Sequence, residues 1–208
     1  MRKKKIAIMA GILICGLTWS FIGWANDSLF YSYKVKKEDT LWELFRENWL
    51  VVARINKISH KFLRPGMNLR VPYDWETVKN YTPLLNQIPN REKKFILVDL
   101  QKQFLGAYES GELKFWCPIS SGYPGESETP KGEFRILWKH KNHFSSIYPE
   151  PKGGAPMKYG LMFTQSGHWI HAGILRGWAS SNGCIRLFKK EAKKLFLWAE
   201  TKTPIEII

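Results

Sequence analysis

Phe95-Ile96-Leu97-Val98 and Phe104-Leu105-Gly106-Ala107-Tyr108 are two apolar runs of strand length. Glu109-Ser110-Gly111 separates the second run from Leu113 and reads as a hairpin turn. Working outward, strand-like runs recur at 115–119, 132–138, 161–164 and Trp169-Ile170-His171. Only residues 189–200 read clearly as a helix, with Ala192, Leu195, Phe196 and Ala199 on one side and Pro204 beyond the end. Short strands joined by glycine-rich turns predict a mainly β, sandwich-like unit over residues 94–208, closed by that C-terminal helix.

Residues 31–73 read differently. Tyr33-Lys34-Val35 has a short strand pattern, and Asp39-Thr40 then precedes Leu41, Trp42, Leu44 and Phe45. An Asp or Thr before apolar residues at helical spacing marks a helix start. A second helical piece contains Val51, Val52 and Ile55. Pro65-Gly66 is a turn signal, and Leu69, Val71 and Pro72 read as a closing strand. This predicts a βααβ unit of about 40 residues, small for a lone core and better suited to binding than to catalysis. Residues 74–93 carry Pro83, Pro89, Asn80, Asn86 and Asn90 and read as a linker, with a short helix near 75–79. The predicted class is α+β: a small βααβ unit, a linker, and a mainly β unit. No internal repeat and no low-complexity tract interrupts it.

The N-terminus reads as an export segment. Arg2, Lys3, Lys4 and Lys5 are followed by no charged residue until position 27. The strongest apolar run, 6–17, has the length of a signal-peptide core, and Gly23 and Ala25 suit a cut after Ala25. Residues 6–25 are also about long enough to span a bilayer, with Trp19 and Trp24 placed for its interface. Residues 1–25 are thus a signal peptide or a membrane anchor, and both put the body outside the cytoplasm, in the periplasm or cell wall. Ile14 before Cys15 argues against lipidation, which wants a small residue there.

The formal charge is +14. Loss of residues 1–25 removes four positive charges and no negative one, which leaves +10. A body this basic is drawn to anionic surfaces, although lysines also simply solvate a surface. Export and the absence of any recognisable nucleic-acid motif exclude nucleic acid as the partner. A hydrophobic content of 44% excludes a disordered chain.

Outside the export segment only Cys117 and Cys184 remain. They either pair or stand as separate thiols. Cys117 lies in an apolar run and reads as buried and structural. Cys184 lies in Ser180-Ser181-Asn182-Gly183-Cys184-Ile185-Arg186-Leu187. Gly183 permits a left-handed backbone before the thiol and lets a backbone N–H approach a substrate oxygen. If 184–187 is extended, Cys184 and Arg186 share a face. An arginine there is placed to grip a carboxylate beside the attacked carbonyl. A thiol needs a base, and His171, thirteen residues earlier, is nearest in sequence. His140 and His143 are spaced as a metal pair, but no third ligand is apparent, so they read as an exposed loop with no metal. His60 and His168 read as surface residues.

Two resemblances follow from these stretches. Tyr33-Lys34-Val35-Lys36-Lys37-Glu38-Asp39-Thr40-Leu41-Trp42, Asn56, and Leu63-Arg64-Pro65-Gly66-Met67-Asn68-Leu69-Arg70-Val71-Pro72 resemble a LysM domain. Glu38 departs from the usual Gly. That family has a βααβ fold and binds N-acetylglucosamine-containing glycans such as peptidoglycan. The second unit resembles the L,D-transpeptidase (YkuD) catalytic domain. The resemblance rests on Val98-Asp99-Leu100 with Gln103, Ser120-Ser121-Gly122, Thr129-Pro130-Lys131-Gly132-Glu133-Phe134, Met157-Lys158-Tyr159, Ile170-His171-Ala172 and Ser181-Asn182-Gly183-Cys184-Ile185-Arg186.

The second resemblance implies a β-sandwich-like fold, Cys184 as nucleophile and His171 as its proton carrier. It implies Gly183 and Asn182 at the oxyanion and orienting loop, and Arg186, Tyr159 and Ser181 near the substrate. It implies peptidoglycan stem peptides as substrate and no metal or cofactor. Asn182 stands where the family often has His, and Lys158 replaces a common Pro. Four other readings stand against it. Water in place of the acceptor amine gives an L,D-carboxypeptidase, and an amine on an envelope protein gives protein anchoring. A non-catalytic glycan-binding protein would be expected to have lost the Cys, the His or the Gly. A papain-type protease would carry its Cys before its His.

Overall fold

The computed structural model describes residues 27–89, 91, 93–148 and 153–208. The export segment predicted at 1–25 lies outside the described residues. Among these, no helix is long and apolar enough to cross a membrane.

The first unit has the β-α-α-β order predicted. Strands β1 (Phe30–Lys34) and β2 (Asn68–Pro72) pair antiparallel, with Phe30 opposite Pro72. Between them run α1 (Leu41–Phe45) and α2 (Trp49–Ile55). The α1 cap falls on Thr40, whose hydroxyl accepts from the Glu43 amide at 3.1 Å. Asp39 instead closes the preceding turn, accepting from the Lys36 amide and the Tyr33 hydroxyl. Leu41, Phe45, Val52, Leu69 and Val71 make a small core between the strand pair and the helices.

The second unit contains two sheets. In the first, the order is β5 (Glu112–Pro118), β4 (Phe104–Glu109), β3 (Lys94–Asp99), β11 (Pro204–Ile207) and β6 (Gly132–Arg135). In the second, it is β10 (Ile185–Leu187), β9 (Trp169–Ala172), β8 (Pro156–Met162) and β7 (Trp138–Phe144). Helix α3 (Lys189–Trp198) packs on β8 and β9. Ile96, Leu105 and Cys117 from one sheet, Leu161, Ile170 and Ile185 from the other, and Leu195 from α3 fill one core.

Three elements differ from expectation. The run at 132–138 is not one strand. Ile136 donates to Thr203 in one sheet and Leu137 to Met162 in the other, so the chain changes sheets between them. Residues 138–144, read as a polar loop around His140 and His143, form β7. It lies at a sheet edge, where polar side chains are tolerated on both faces and erase the period-2 signal. Pro204, read only as a helix stop, begins β11, because proline is acceptable as the first residue of a strand.

The two units meet across α2. The Arg54 guanidinium pairs with Glu191 at 3.2 Å, donates to the Trp116 carbonyl at 2.8 Å and lies 4.2 Å from the Trp116 ring centroid. Burial pushes the Glu191 carboxyl up, and Arg54 opposes that shift. Removing the arginine alone strands a largely desolvated carboxylate. Arg54→Ala is expected to lower stability by about 2 kcal/mol in urea unfolding, and Arg54→Met with Glu191→Met to recover most of that loss.

Candidate active site

Strands β9 and β10 lie parallel, with Ile170 opposite Ile185 and His171 opposite Arg186. Ile170, Ile185 and Leu187 point into the core. Side chains alternate along a strand. His171, Arg186 and Cys184, the last one residue before β10, therefore share the opposite face. This register sets Cys184 beside Trp169, whose backbone amide bonds the thiol, and diagonal to His171. Residues thirteen apart in the chain thus converge through a parallel strand pair.

His171 is 7% exposed, and its Nδ1 lies 2.8 Å from the Ala172 carbonyl. A carbonyl only accepts, so Nδ1 carries the proton and Nε2 keeps a free lone pair. This backbone contact fixes the orientation of the ring. Burial depresses the His171 pKa to about 4 despite the Ala172 bond, and Arg186 and His143 push the same way. Burial pushes the Cys184 thiol up, against the Trp169 bond and the Arg186 charge. At neutral pH the resting pair is thiol and neutral imidazole, an arrangement in which a proton can pass from sulfur to nitrogen during an attack by the thiol. Activity with His171 as the base requires its neutral ring. It is expected to fall on acidification through about 4, not through the ordinary histidine range near 6.5, in a pH profile of acylation rate.

Gly183 has φ +97°, which only glycine adopts readily. Its carbonyl accepts from the Thr129 hydroxyl at 2.8 Å, and that hydroxyl accepts from the Gly122 amide at 2.9 Å. With the carbonyl turned toward Thr129, the Cys184 N–H of the same trans peptide faces the other way. Ser181 is 1% exposed and donates to the Cys184 carbonyl. It braces the loop from inside. Asn182 is exposed. The Arg186 stem lies on Gly173, where a Cβ would approach its Cγ to 2.8 Å, and its Nη1 donates to the Ser180 carbonyl at 3.3 Å.

Tyr159 does not join this group. Its ring packs 5.9 Å from Phe196, on the side of the sheet that α3 covers, against the core that holds Leu161. Two histidines read as peripheral prove half-buried and packed on neighbours. His143 stacks on Trp169 at 4.0 Å, and Trp169 passes over Gly160, where a Cβ would meet its ring at 2.9 Å. His168 is half-buried, bonded to Thr164 at 2.9 Å, and its ring would lie 3.0 Å from a Cβ at position 183. Sequence reasoning missed Thr129 as the brace of Gly183. Its only signal was the Thr-Pro-x-Gly stretch. Gln103 likewise stood in a recognisable stretch; its side chain pairs with both the amide and hydroxyl of Ser121. Cys117 is buried in the core and both thiols are free. No cluster of three metal-ligating side chains occurs among the described residues.

The family model for the L,D-transpeptidase catalytic domain, YkuD, matches residues 93–207, more than half of the chain. The chain belongs to the YkuD family. An L,D-transpeptidase from Stackebrandtia nassauensis is similar at 25% identity and TM-score 0.51, covering 59% of this chain and 58% of its own. A Cys-to-Ser mutant of the Enterococcus faecium L,D-transpeptidase is similar at 25% identity and TM-score 0.51, covering 56% and 50%. An L,D-transpeptidase from Xylanimonas cellulosilytica, at 22% identity and TM-score 0.54, shares the fold over 76% and 78%. The chain spans about half to three-fifths of the first of these solved YkuD structures. No curated protein sequence matches it.

Proposed function

We propose that this YkuD-family protein is an exported peptidoglycan L,D-transpeptidase working through an acyl-enzyme on Cys184. The observation that carries the proposal is the β9–β10 register, which puts Cys184, His171 with a free Nε2, and Arg186 on one face. In the first half-reaction Sγ attacks the carbonyl at the L-centre of the diamino acid in a donor tetrapeptide stem. Its proton passes to His171 Nε2. The Cys184 N–H, aimed by the Thr129–Gly183 bond, stabilises the oxyanion. The C–N bond to D-alanine breaks, His171 returns the proton to the leaving amine, and a thioester remains. An amine from a second stem then attacks the thioester. His171 takes its proton and passes it to the departing thiolate, which gives a 3–3 crosslink and free Cys184. Arg186 contacts the donor stem. Ser181 and Tyr159 receive supporting roles only.

The first unit is read as a LysM module that holds the enzyme on glycan. Its support is the sequence resemblance, the βααβ order and a groove of about 470 Å³ lined by Thr40, Trp42, Trp49, His60 and Arg64 among others. Trp42 is 56% exposed and offers a face for a sugar ring.

The test is intact-mass spectrometry of reduced protein with a disaccharide-tetrapeptide donor. An adduct on Cys184 lacking D-alanine supports the acyl-enzyme. Dimeric product then marks crosslinking, tripeptide alone marks carboxypeptidase action, and transfer only to an added protein amine marks anchoring. Folded protein with a free thiol and no adduct would leave a glycan-binding protein as the better reading.

A further inference from the structure

The segment joining the catalytic histidine to the catalytic cysteine is held by the other unit. Residues 173–180 have no regular secondary structure. Ser59, in the first unit, grips the middle of this loop with both its main chain and its side chain. Its amide donates to the Leu175 carbonyl at 2.8 Å, and its hydroxyl accepts from the Leu175 amide at 3.0 Å. Next to it Ile58 bridges to Arg176, and the Arg176 guanidinium lies 5.0 Å from the Phe62 ring centroid. Ile58 is 2% exposed and Leu175 0%, so the Leu175 side of this junction is shielded from solvent.

The loop in turn supports Arg186 at both ends. At its start Gly173 lies under the Arg186 stem and donates to the Leu187 carbonyl at 2.8 Å. At its finish the Ser180 carbonyl accepts from Arg186 Nη1. Between them the Trp178 carbonyl accepts from the Ser120 hydroxyl at 2.7 Å. Arg186 itself is tied by its backbone to Ser120, at 3.0 Å in both directions. A shift of Leu175 therefore reaches the arginine through main chain at two points.

We infer that Ser59 is a positioning residue for the transpeptidase site, acting through Leu175 on the loop that holds Arg186, so that the first unit is a working part of the active site as well as a tether. The inference rests on the reading of Arg186 as the donor-stem contact. The hydroxyl is the specific element. Without it the buried Leu175 amide has lost its acceptor, and a buried unpaired donor is costly enough to displace its loop. Ser59→Thr would keep the acceptor, since Ser59 sits at φ −73° and ψ 139°, where a β-branched residue is comfortable.

The experiment compares full-length wild type, Ser59→Ala and Ser59→Thr in two assays. Hydrogen exchange of the peptide spanning 173–180 should be faster in Ser59→Ala and near wild type in Ser59→Thr. With the disaccharide-tetrapeptide donor, Ser59→Ala should raise KM about tenfold with kcat within about twofold, and Ser59→Thr should restore KM. Alkylation of Cys184 by iodoacetamide should change little in all three, because Cys184 and His171 are held by the β9–β10 pairing and the Trp169 bond and feel the loop only through the Arg186 charge. Unchanged exchange in Ser59→Ala, an unchanged KM, or equal damage in both variants would overturn the inference. If wild type fails to react with the donor, the transpeptidase reading falls, and the exchange assay alone then decides whether Ser59 orders the loop.

Discussion

Cys184→Ser is expected to lower the rate of donor acylation by more than about 10³-fold while leaving the fold intact. The substitution keeps a small hydroxyl where the thiol stood, so the Trp169 contact and the core beneath it persist. The loss is chemical. A hydroxyl is far less acidic than a thiol, and the base beside it is unusually weak, because burial holds His171 at about 4. That base manages a thiol only as the sulfur begins to bond carbon, and it gains little hold on an alcohol proton. Intact-mass detection of the acyl-enzyme, with released D-alanine measured in parallel, reads the effect. Retention of more than about a tenth of the wild-type rate would mean that another group is the nucleophile.

His171→Gln should cost about 10² to 10⁴ in acylation rate at neutral pH. Glutamine can keep a bond to the Ala172 carbonyl, so the strand end stays ordered, but it cannot take a proton. The variant should also lose the acid limb near 4. Its residual rate should instead climb steadily with pH, as hydroxide generates the thiolate of a Cys184 whose own pKa is raised by burial. The same slope should appear in iodoacetamide alkylation, which needs no donor. A variant with a wild-type pH profile would remove His171 from the proton path.

Much of the site is legible before folding because its chemistry depends on residue types that few other demands explain. A cysteine after a glycine, with an arginine two positions on, already suggests a nucleophile on an extended edge, and the structure gives that edge as β10. In the sequence His171 stands out by nearness to Cys184 and by the Ile170-His171-Ala172 stretch. Its real connection is strand register, which the chain alone does not display. Tyr159 and Ser181 show the opposite case. Both stand in recognisable stretches, yet one faces α3 and the other lies inside the loop, since a motif names neighbours in sequence and not the side of a sheet.

Local physics was enough for the hairpin of β4 and β5, the Thr40 cap, the β-α-α-β order and the C-terminal helix, expected over 189–200 and ending at Trp198, because each follows from turn chemistry and hydrophobic period over short stretches of chain. The residue types of the loop around Cys184 belong with them. The tertiary structure alone decided the sheet change between Ile136 and Leu137, the strand after Pro204, the edge position of His140 and His143, and the depressed His171. It also decided the bonds from Thr129 and Ser59 to partners 54 and 116 residues away. Each of these depends on what is buried against what. Burial and long-range pairing are properties of the closed fold, so no window of sequence carries them.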